Sequence, residues 1–512
     1  METSNKKIAK NALFMYFRMA LVILVGLYTS RVILNALGVE DFGIYNVAGS
    51  VVAMFTFLNG ALGTSSSRFI TVELGKASYN DTNHLENCFK TTRGIHAIMG
   101  VLIVLIAETI GLWLLYYKCD IPEDRMTSAL IVYQISVITA YLSVTLVPFQ
   151  ALLIAHEHMT VYAYWGIIDA FLKLGICYLI LISPIDNLVF YALLLFGVQL
   201  FNNIFNLIYC KRHFRECSLK YSLDKKFLKP ILGFTGWNLL GSFSTMAMNQ
   251  AATVMISFFF GPSVVAARAI SGQVRGQVMN FVNNFRIAVN PQIIKRYAGG
   301  EVESSKSLLF LSTKLSFYLM LLIAIPLLME TEFILRAWLK IVPQYAIEFV
   351  QITLLEMLFV VYDISFYIIF QSTGRLKENA LACPSMDIIA FILVFVIYSF
   401  GGSVLTIAYA LLILTISQGM LVKPYLAVRL FDYKWREFRK LFAQNGLVLI
   451  AALSISIILK SCLYNKINEF LLLGFEVVLV ILCILFCGLN KHERNKILSS
   501  LRIMFQSSSS SR

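Results

Sequence analysis

The sequence predicts an all-α polytopic membrane protein with about fourteen transmembrane helices, and three observations carry that prediction. Of 512 residues, 58% are hydrophobic and 14% charged, with a mean hydropathy of +0.74, whereas soluble domains average roughly 45–50% apolar and about 25% charged. Apolar runs of at least about 18 residues recur along the whole length. Basic residues gather in alternate connections between those runs, the pattern left when positive charge is kept on one membrane face.

In chain order the spans read as 11–36, 42–70, 90–117, 127–155, 160–183, 187–210, 228–259, 263–294, 306–329, 346–372, 380–400, 403–425, 442–460 and 468–488. With both termini cytoplasmic, the inner segments hold about 30 Lys and Arg, clustered at Lys6, Lys7 and Lys10 and over 211–229, 423–440 and 491–502. The outer segments hold Lys118, Arg125, Arg336, Lys340, Lys460 and Lys466. That division accounts for the net charge of +14. It argues against a nucleic-acid partner, because the basic residues are split among short loops at one face. The first span imitates a signal peptide but is too long, contains Arg18 and ends without a small-residue cleavage site, so it is expected to stay in the mature protein. The nine cysteines form no ligand cluster, and Cys483 and Cys487, one helical turn apart, read as packing residues. The tail from Ser499 reads as disordered.

The two halves of the chain echo one another. Span 1 ends at Gly38 and span 7 at Gly261, 223 residues on; the polar close of span 2 reaches Gly75 and that of span 8 reaches Gly299, 224 residues on. Two landmarks in one register suggest a duplicated unit of six spans. An even number returns each repeat to its starting side, so the halves run parallel and are related by an axis along the membrane normal. The expected organisation is a six-helix lobe over 1–210, a basic cytoplasmic linker over 211–227, a second six-helix lobe over 228–426, transmembrane helices 13 and 14 within 427–490, and a cytoplasmic tail over 491–512.

Span 8 is the most unusual segment. At 100° per residue Arg268, Arg275 and Arg286 return to within about 20° of one another and share a face, with Gln273, Gln277 and Asn284 on the other side. A guanidinium in hydrocarbon costs several kcal/mol even on lenient scales. The expectation is that this face lines a water-filled cavity between the two lobes, suited to an anion; the alternative is that each arginine pairs with an acid or caps a carbonyl inside one bundle. Arg18 in span 1 is assigned to the cavity as well. Arg31 is nearly opposite it in angle and close to the outer boundary, where snorkelling is the competing reading.

Among the acids, Glu356 and Asp363 stand seven residues apart on one face of span 10. They read either as salt-bridge partners for span 8 or as a proton or sodium site. Asp169 and Lys173 form an i, i+4 pair in the favourable order and read as self-neutralising. Glu108 and Asp387 are single buried acids with no partner legible. His156 and His158, flanking Glu157, read as a solvated turn and not as a metal site. No phosphate-cradling G-x-x-x-x-G-K-[ST] loop is present, and the outer loops are short, the longest being 331–345. The chain is therefore expected not to be an enzyme.

The opening Asn11-Ala12-Leu13-Phe14 with Arg18, then Tyr28-Thr29-Ser30-Arg31-Val32-Ile33-Leu34-Asn35-Ala36-Leu37-Gly38, Asp41-Phe42-Gly43-Ile44-Tyr45-Asn46-Val47 and Arg68-Phe69, resembles bacterial polysaccharide-biosynthesis flippases. These are the O-antigen and capsule repeat-unit exporters of the multidrug/oligosaccharidyl-lipid/polysaccharide superfamily. The resemblance is strongest over roughly the first 75 residues. It implies a two-lobed, V-shaped transporter that works by alternating access with no nucleotide cofactor; coupling to H+ or Na+ rests on Glu356 and Asp363. The implied cargo is a polyprenyl-diphosphate-linked oligosaccharide, moved from the inner to the outer leaflet of the bacterial cytoplasmic (inner) membrane. Membrane lipids and other polysaccharide-assembly proteins are the implied partners. The family's cavity arginines map by motif onto Arg18 and Arg31; Arg268, Arg275 and Arg286 rest on helical angle alone. A lipid II flippase is the nearest competing function. A cation-coupled multidrug exporter is another, with an acidic or apolar cavity expected, and a membrane-embedded glycosyltransferase or polymerase and a membrane scaffold are the more distant ones.

Overall fold

The computed structural model describes residues 56–76, 82–117, 122–183, 185–260, 262–339, 342–463 and 468–489, together with scattered helical positions between 14 and 45. Arg31, Gly38, Gly261 and the expected tail over 491–512 lie outside the described residues. In order the helices are α1 (Thr56–Lys76), α2 (Thr82–Ile106, prolonged through Ala107–Gly111 and Leu112–Tyr117), α3 (Met126–Ala155), α4 (Met159–Leu179), α5 (Asn187–His213), α6 (Lys225–Phe260) and α7 (Pro262–Ala298). There follow α8 (Val302–Met329), α9 (Thr331–Trp338), α10 (Ala346–Thr373), α11 (Lys377–Ser399), α12 (Thr406–Leu430), α13 (Trp435–Leu463) and α14 (Glu469–Cys483). Among the described residues there is no strand, and ten helices are long and apolar enough to cross a membrane. Helix α7, the eighth expected span, is not one of the ten, because its arginines and amides dilute the apolar run.

Several helices begin earlier than hydropathy predicts. The polar connection left between the expected spans 42–70 and 90–117 holds the start of α2, whose first turns carry the Glu86–Lys90 pair at 2.7 Å. Polar residues so spaced support a helix without raising its hydropathy. The expected loop 331–345 contains α9, whose Leu335 is buried and whose Phe333 meets Phe470 edge-on at 4.8 Å.

Two compact units are present, one of Lys10–Phe243 with Asn290–Val302, the other chiefly of Ser244–Val289 and Glu303–Arg512. In the first, α3 is central and α1, α2 and α5 pack on it, sealing a core that includes Phe89, Leu152, Leu153 and Cys210. Alternate connections gather at its two ends. At one end Arg125 reaches Asp41 at 2.5 Å and Asp186 at 2.7 Å. At the other, Arg93 donates to the Ser218 carbonyl at 2.8 Å and His156 bonds Glu216. Helices that run back and forth bring residues 41, 125 and 186 together at one end and residues 93, 156 and 216 together at the other. The His156–His158 turn is consequently not a solvated turn: the His156 ring stacks on Phe214 at 4.3 Å, and His158 meets Tyr209 at 3.1 Å. Burial pushes the Glu216 carboxyl up, but the bond to His156, a backbone hydrogen bond and the His156 charge together outweigh it and hold the group below its ordinary range.

Gly75 and Gly299, the second pair of repeat landmarks, touch within this unit. A Cβ on Gly75 would stand 2.6 Å from the Lys295 carbonyl, and one on Gly299 would stand 3.2 Å from the Gly75 carbonyl. Glycine is required there because two backbones meet.

In the second unit α10 is the most buried helix, covered by α12 and touched by α9. Helix α12 widens over Ser417–Val422, and there a Cβ on Gly419 would lie 2.9 Å from the Asp363 amide nitrogen. Helices α13 and α14 pack on one another.

Candidate anion-binding cavity

Helix α7 presents Arg268, Arg275 and Arg286 along one stripe, and the structure shows what two of them face. Arg275 donates Nη1 to Glu356 Oε1 at 2.6 Å, and Arg286 donates Nη2 to the Ile364 carbonyl at 2.6 Å. Both acceptors are on α10. For these two the alternative reading is the one observed: within one unit, Arg275 pairs with an acid and Arg286 caps a carbonyl. Seven residues separate Arg268 from Arg275, about 10 Å along the axis, so the stripe runs parallel to α10 over several turns.

Between these helices lies a cavity of about 220 Å³ whose polar lining is Thr253 from α6, Arg268, Ser271 and Arg275 from α7, and Thr353 and Glu356 from α10. At ~30 Å³ per water it has room for about seven waters. Arg268 has no carboxylate within salt-bridge distance among the described residues; it senses Glu356 and Arg275 only as nearby charges. Glu356 is nearly buried and is held from two sides, by Arg275 and by the Thr415 hydroxyl at 3.1 Å. Two guanidiniums and one carboxylate leave the lining with one excess positive charge. An anion entering it would find Arg268 unengaged and Arg275 already oriented. The cavity occupies the half of the unit in which α6 ends and α7, α10 and α12 begin.

The remaining expected site residues stand elsewhere. Arg286 is not among the residues lining this cavity; it ties α7 to α10 through the Ile364 carbonyl, with Asn283 as a second, longer contact at 3.4 Å. Asp363 does not pair with α7. Its partner is Lys423 on α12, at 2.5 Å, and Lys423 is buried. Lys423 had been grouped with the inner basic loop on composition; Gly419, one turn earlier, is the local signal that α12 approaches α10 closely enough to receive it. Arg18 is in the other unit, its guanidinium 4.8 Å from the centre of the Tyr162 ring and lodged where a side chain on Gly166 would otherwise be.

Asp169 pairs with Lys173 at 2.8 Å as expected and also accepts from Asn202 at 2.7 Å. The two single acids acquire amide partners, Gln134 for Glu108 at 3.0 Å and Gln418 for Asp387 at 2.8 Å. Sequence reasoning missed Arg68, which is buried with its guanidinium 4.7 Å from both Phe69 and Phe234. It also missed a buried hydroxyl pair, Ser65 with Thr235 at 2.6 Å, because small polar residues scarcely disturb a hydropathy profile.

Comparison with solved structures supports the fold. A multidrug resistance MATE family transporter of the MOP superfamily, in an outward-facing conformation, is 14% identical with a TM-score of 0.72, over 83% of this chain and 96% of the other. A MOP superfamily transporter from Pyrococcus furiosus, described as having a binding pocket of reverse polarity that suggests a different function, is 13% identical with a TM-score of 0.70, over 82% and 96%. A Vibrio cholerae MATE transporter in the bent form is 15% identical with a TM-score of 0.68, over 87% and 99%. No curated protein sequence matches the chain. The family model for polysaccharide biosynthesis proteins matches residues 8–294, more than half of the sequence, and with the all-helical membrane fold this places the chain in the polysaccharide biosynthesis protein family.

Proposed function

We propose that the protein is a flippase that carries a polyprenyl-diphosphate-linked oligosaccharide from the inner to the outer leaflet of the bacterial cytoplasmic membrane, exposing its binding site to the two faces in alternation. The observation that carries this reading is the cavity beside Arg268, positively charged on balance and set within a membrane bundle. A diphosphate bears close to two negative charges and cannot cross hydrocarbon bare, whereas guanidiniums offer paired hydrogen bonds in place of lost water. Arg268 would make the first contact. Arg275 would follow by sharing its donors between Glu356 and the phosphate, while Arg286 keeps α7 in register with α10. The cavity is large enough for the diphosphate and too small for an oligosaccharide, so the sugars would project from it and the isoprenoid chain would stay in lipid. Arg18 supplies a further guanidinium in the first unit.

The positive-inside distribution supports cytoplasmic termini, which would put this cavity in the outer half of the membrane. Outward movement of about two negative charges across an inside-negative membrane releases on the order of 4–5 kcal/mol per 100 mV. The family assignment and the paired landmarks Gly75 and Gly299 support two six-helix repeats followed by the pair α13–α14. Glu356 in the cavity is the one observation that favours the cation-coupled exporter instead, and binding assays separate the two. Purified protein should bind a short-chain polyprenyl diphosphate sugar, and Arg268→Ala should weaken that binding about 10- to 100-fold, the equivalent of one charge-assisted hydrogen bond of about 1.5–3 kcal/mol. Tight binding of an organic cation with no affinity for the diphosphate would transfer the assignment to the exporter.

A further inference from the structure

Helix α14 is the most hydropathic candidate span, yet it carries a carboxyl on its inward stripe. Leu472, Glu476, Val480 and Cys483 are the buried residues of this helix, and Glu476 is 0% exposed. Both of its carboxyl oxygens are buried without a hydrogen-bond partner. A buried ionised carboxylate without a partner costs several kcal/mol, and a leucine would serve the packing better. The charged groups close enough to act on it electrostatically are Glu330, which follows the last residue of α8, and Lys460 on α13. Those two are already engaged: Lys460 Nζ stands 3.2 Å from Glu330 Oε1 and donates to the Met329 carbonyl. Glu330 is buried, while Lys460 is about one-third exposed and connects the cluster to solvent.

Two carboxyls and one ammonium are neutral only when one proton is present, and like-charged carboxyls in a dry site do not both ionise. We propose that Glu476, Glu330 and Lys460 form a one-proton binding site that senses pH at the membrane face where α8 and α13 end, and that its protonation clamps the α8–α9 corner. With the proton on Glu476, the Lys460 ammonium is left to Glu330 and to the Met329 carbonyl. When the Glu476 O–H bond breaks and the proton passes to water at that face, Lys460 turns from Glu330 to Glu476. The carbonyl at the end of α8 then loses its donor and the corner beside α9 loosens. Glu476 lies seven residues inside the start of α14, about 10 Å from that face. This inference does not depend on the identity of the cargo.

The test uses the full-length protein in vesicles of neutral phospholipid, with infrared difference spectroscopy as the pH is raised from about 6 to about 9, the range over which an ordinary exposed carboxyl shows no change. The wild type should show a protonated-carboxyl C=O band that disappears with rising pH, and amide exchange over 330–338 should rise in parallel. Glu476→Gln should lose the band and keep slow exchange throughout. Lys460→Met, which removes the competing ammonium, should hold the proton to a pH higher by about one unit or more. A wild type with no such band at neutral pH, or a Lys460→Met protein with an unchanged titration, overturns the proposal whether or not Glu476→Gln folds. The same band and exchange response in a folded Glu476→Gln protein overturns it equally.

Discussion

Arg275 and Arg268 share a helix face and a cavity, but they differ in what their removal leaves behind. Arg275→Met would strand the nearly buried Glu356 carboxylate with the Thr415 hydroxyl as its remaining donor. Losing one partner of a fully buried pair costs about 3–5 kcal/mol; with Arg275 36% exposed beside the cavity the loss is smaller, and the melting temperature in detergent should still fall. The double variant Arg275→Met with Glu356→Leu should regain part of the loss, because no buried carboxylate is then left alone, although Arg268 loses the attraction of Glu356. Arg268→Ala removes a guanidinium with no carboxylate partner among the described residues. Its effect on melting should be smaller than that of Arg275→Met, because no ion pair is broken, while head-group binding drops. A binding residue and a structural ion pair thus give opposite signatures in the same two measurements.

At the level of helices, the α10–α12 contact depends on Gly419. Gly419→Ala would set a methyl group 2.9 Å from the Asp363 amide nitrogen, an overpacking that costs about 1–3 kcal/mol. It should also loosen the Lys423–Asp363 pair, and a lowered melting midpoint reports the combined effect. Helices of this kind were legible in the sequence wherever the apolar run was long, as in α3, α8 and α10. Their starts were less legible, since the polar first turns of α2 and the short helix α9 owe their form to local pairs and to contacts with Phe470 and not to hydropathy. The arginine stripe was legible as an angle. That it faces α10, and that Asp363 turns away to Lys423, could not be read, because choice of partner is settled by which helices pack together. Glu476 shows the same limit, a single acid in a greasy run whose meaning depends on Glu330 arriving from the α8–α9 corner and Lys460 from α13.

Across the whole molecule, the connections of the first unit are fastened at both ends, by Arg125 with Asp41 and Asp186 and by His156 with Glu216. Because Glu216 is held below its usual carboxylate range, its contribution to stability is complete above about pH 4.3, the ordinary glutamate value, and fades as the pH falls through the lower folded value. Glu216→Gln should therefore flatten the acid limb of a stability profile and leave its alkaline limb unchanged, which thermal melting across pH will show. Whether the Arg268 cavity carries a phosphorylated lipid head group across the membrane is decided by leaflet transfer of a labelled polyprenyl-diphosphate oligosaccharide in proteoliposomes. The wild type should transfer it, and Arg268→Ala should lose transfer almost completely at equal amounts of folded protein. Transfer at the wild-type rate by Arg268→Ala would contradict that role.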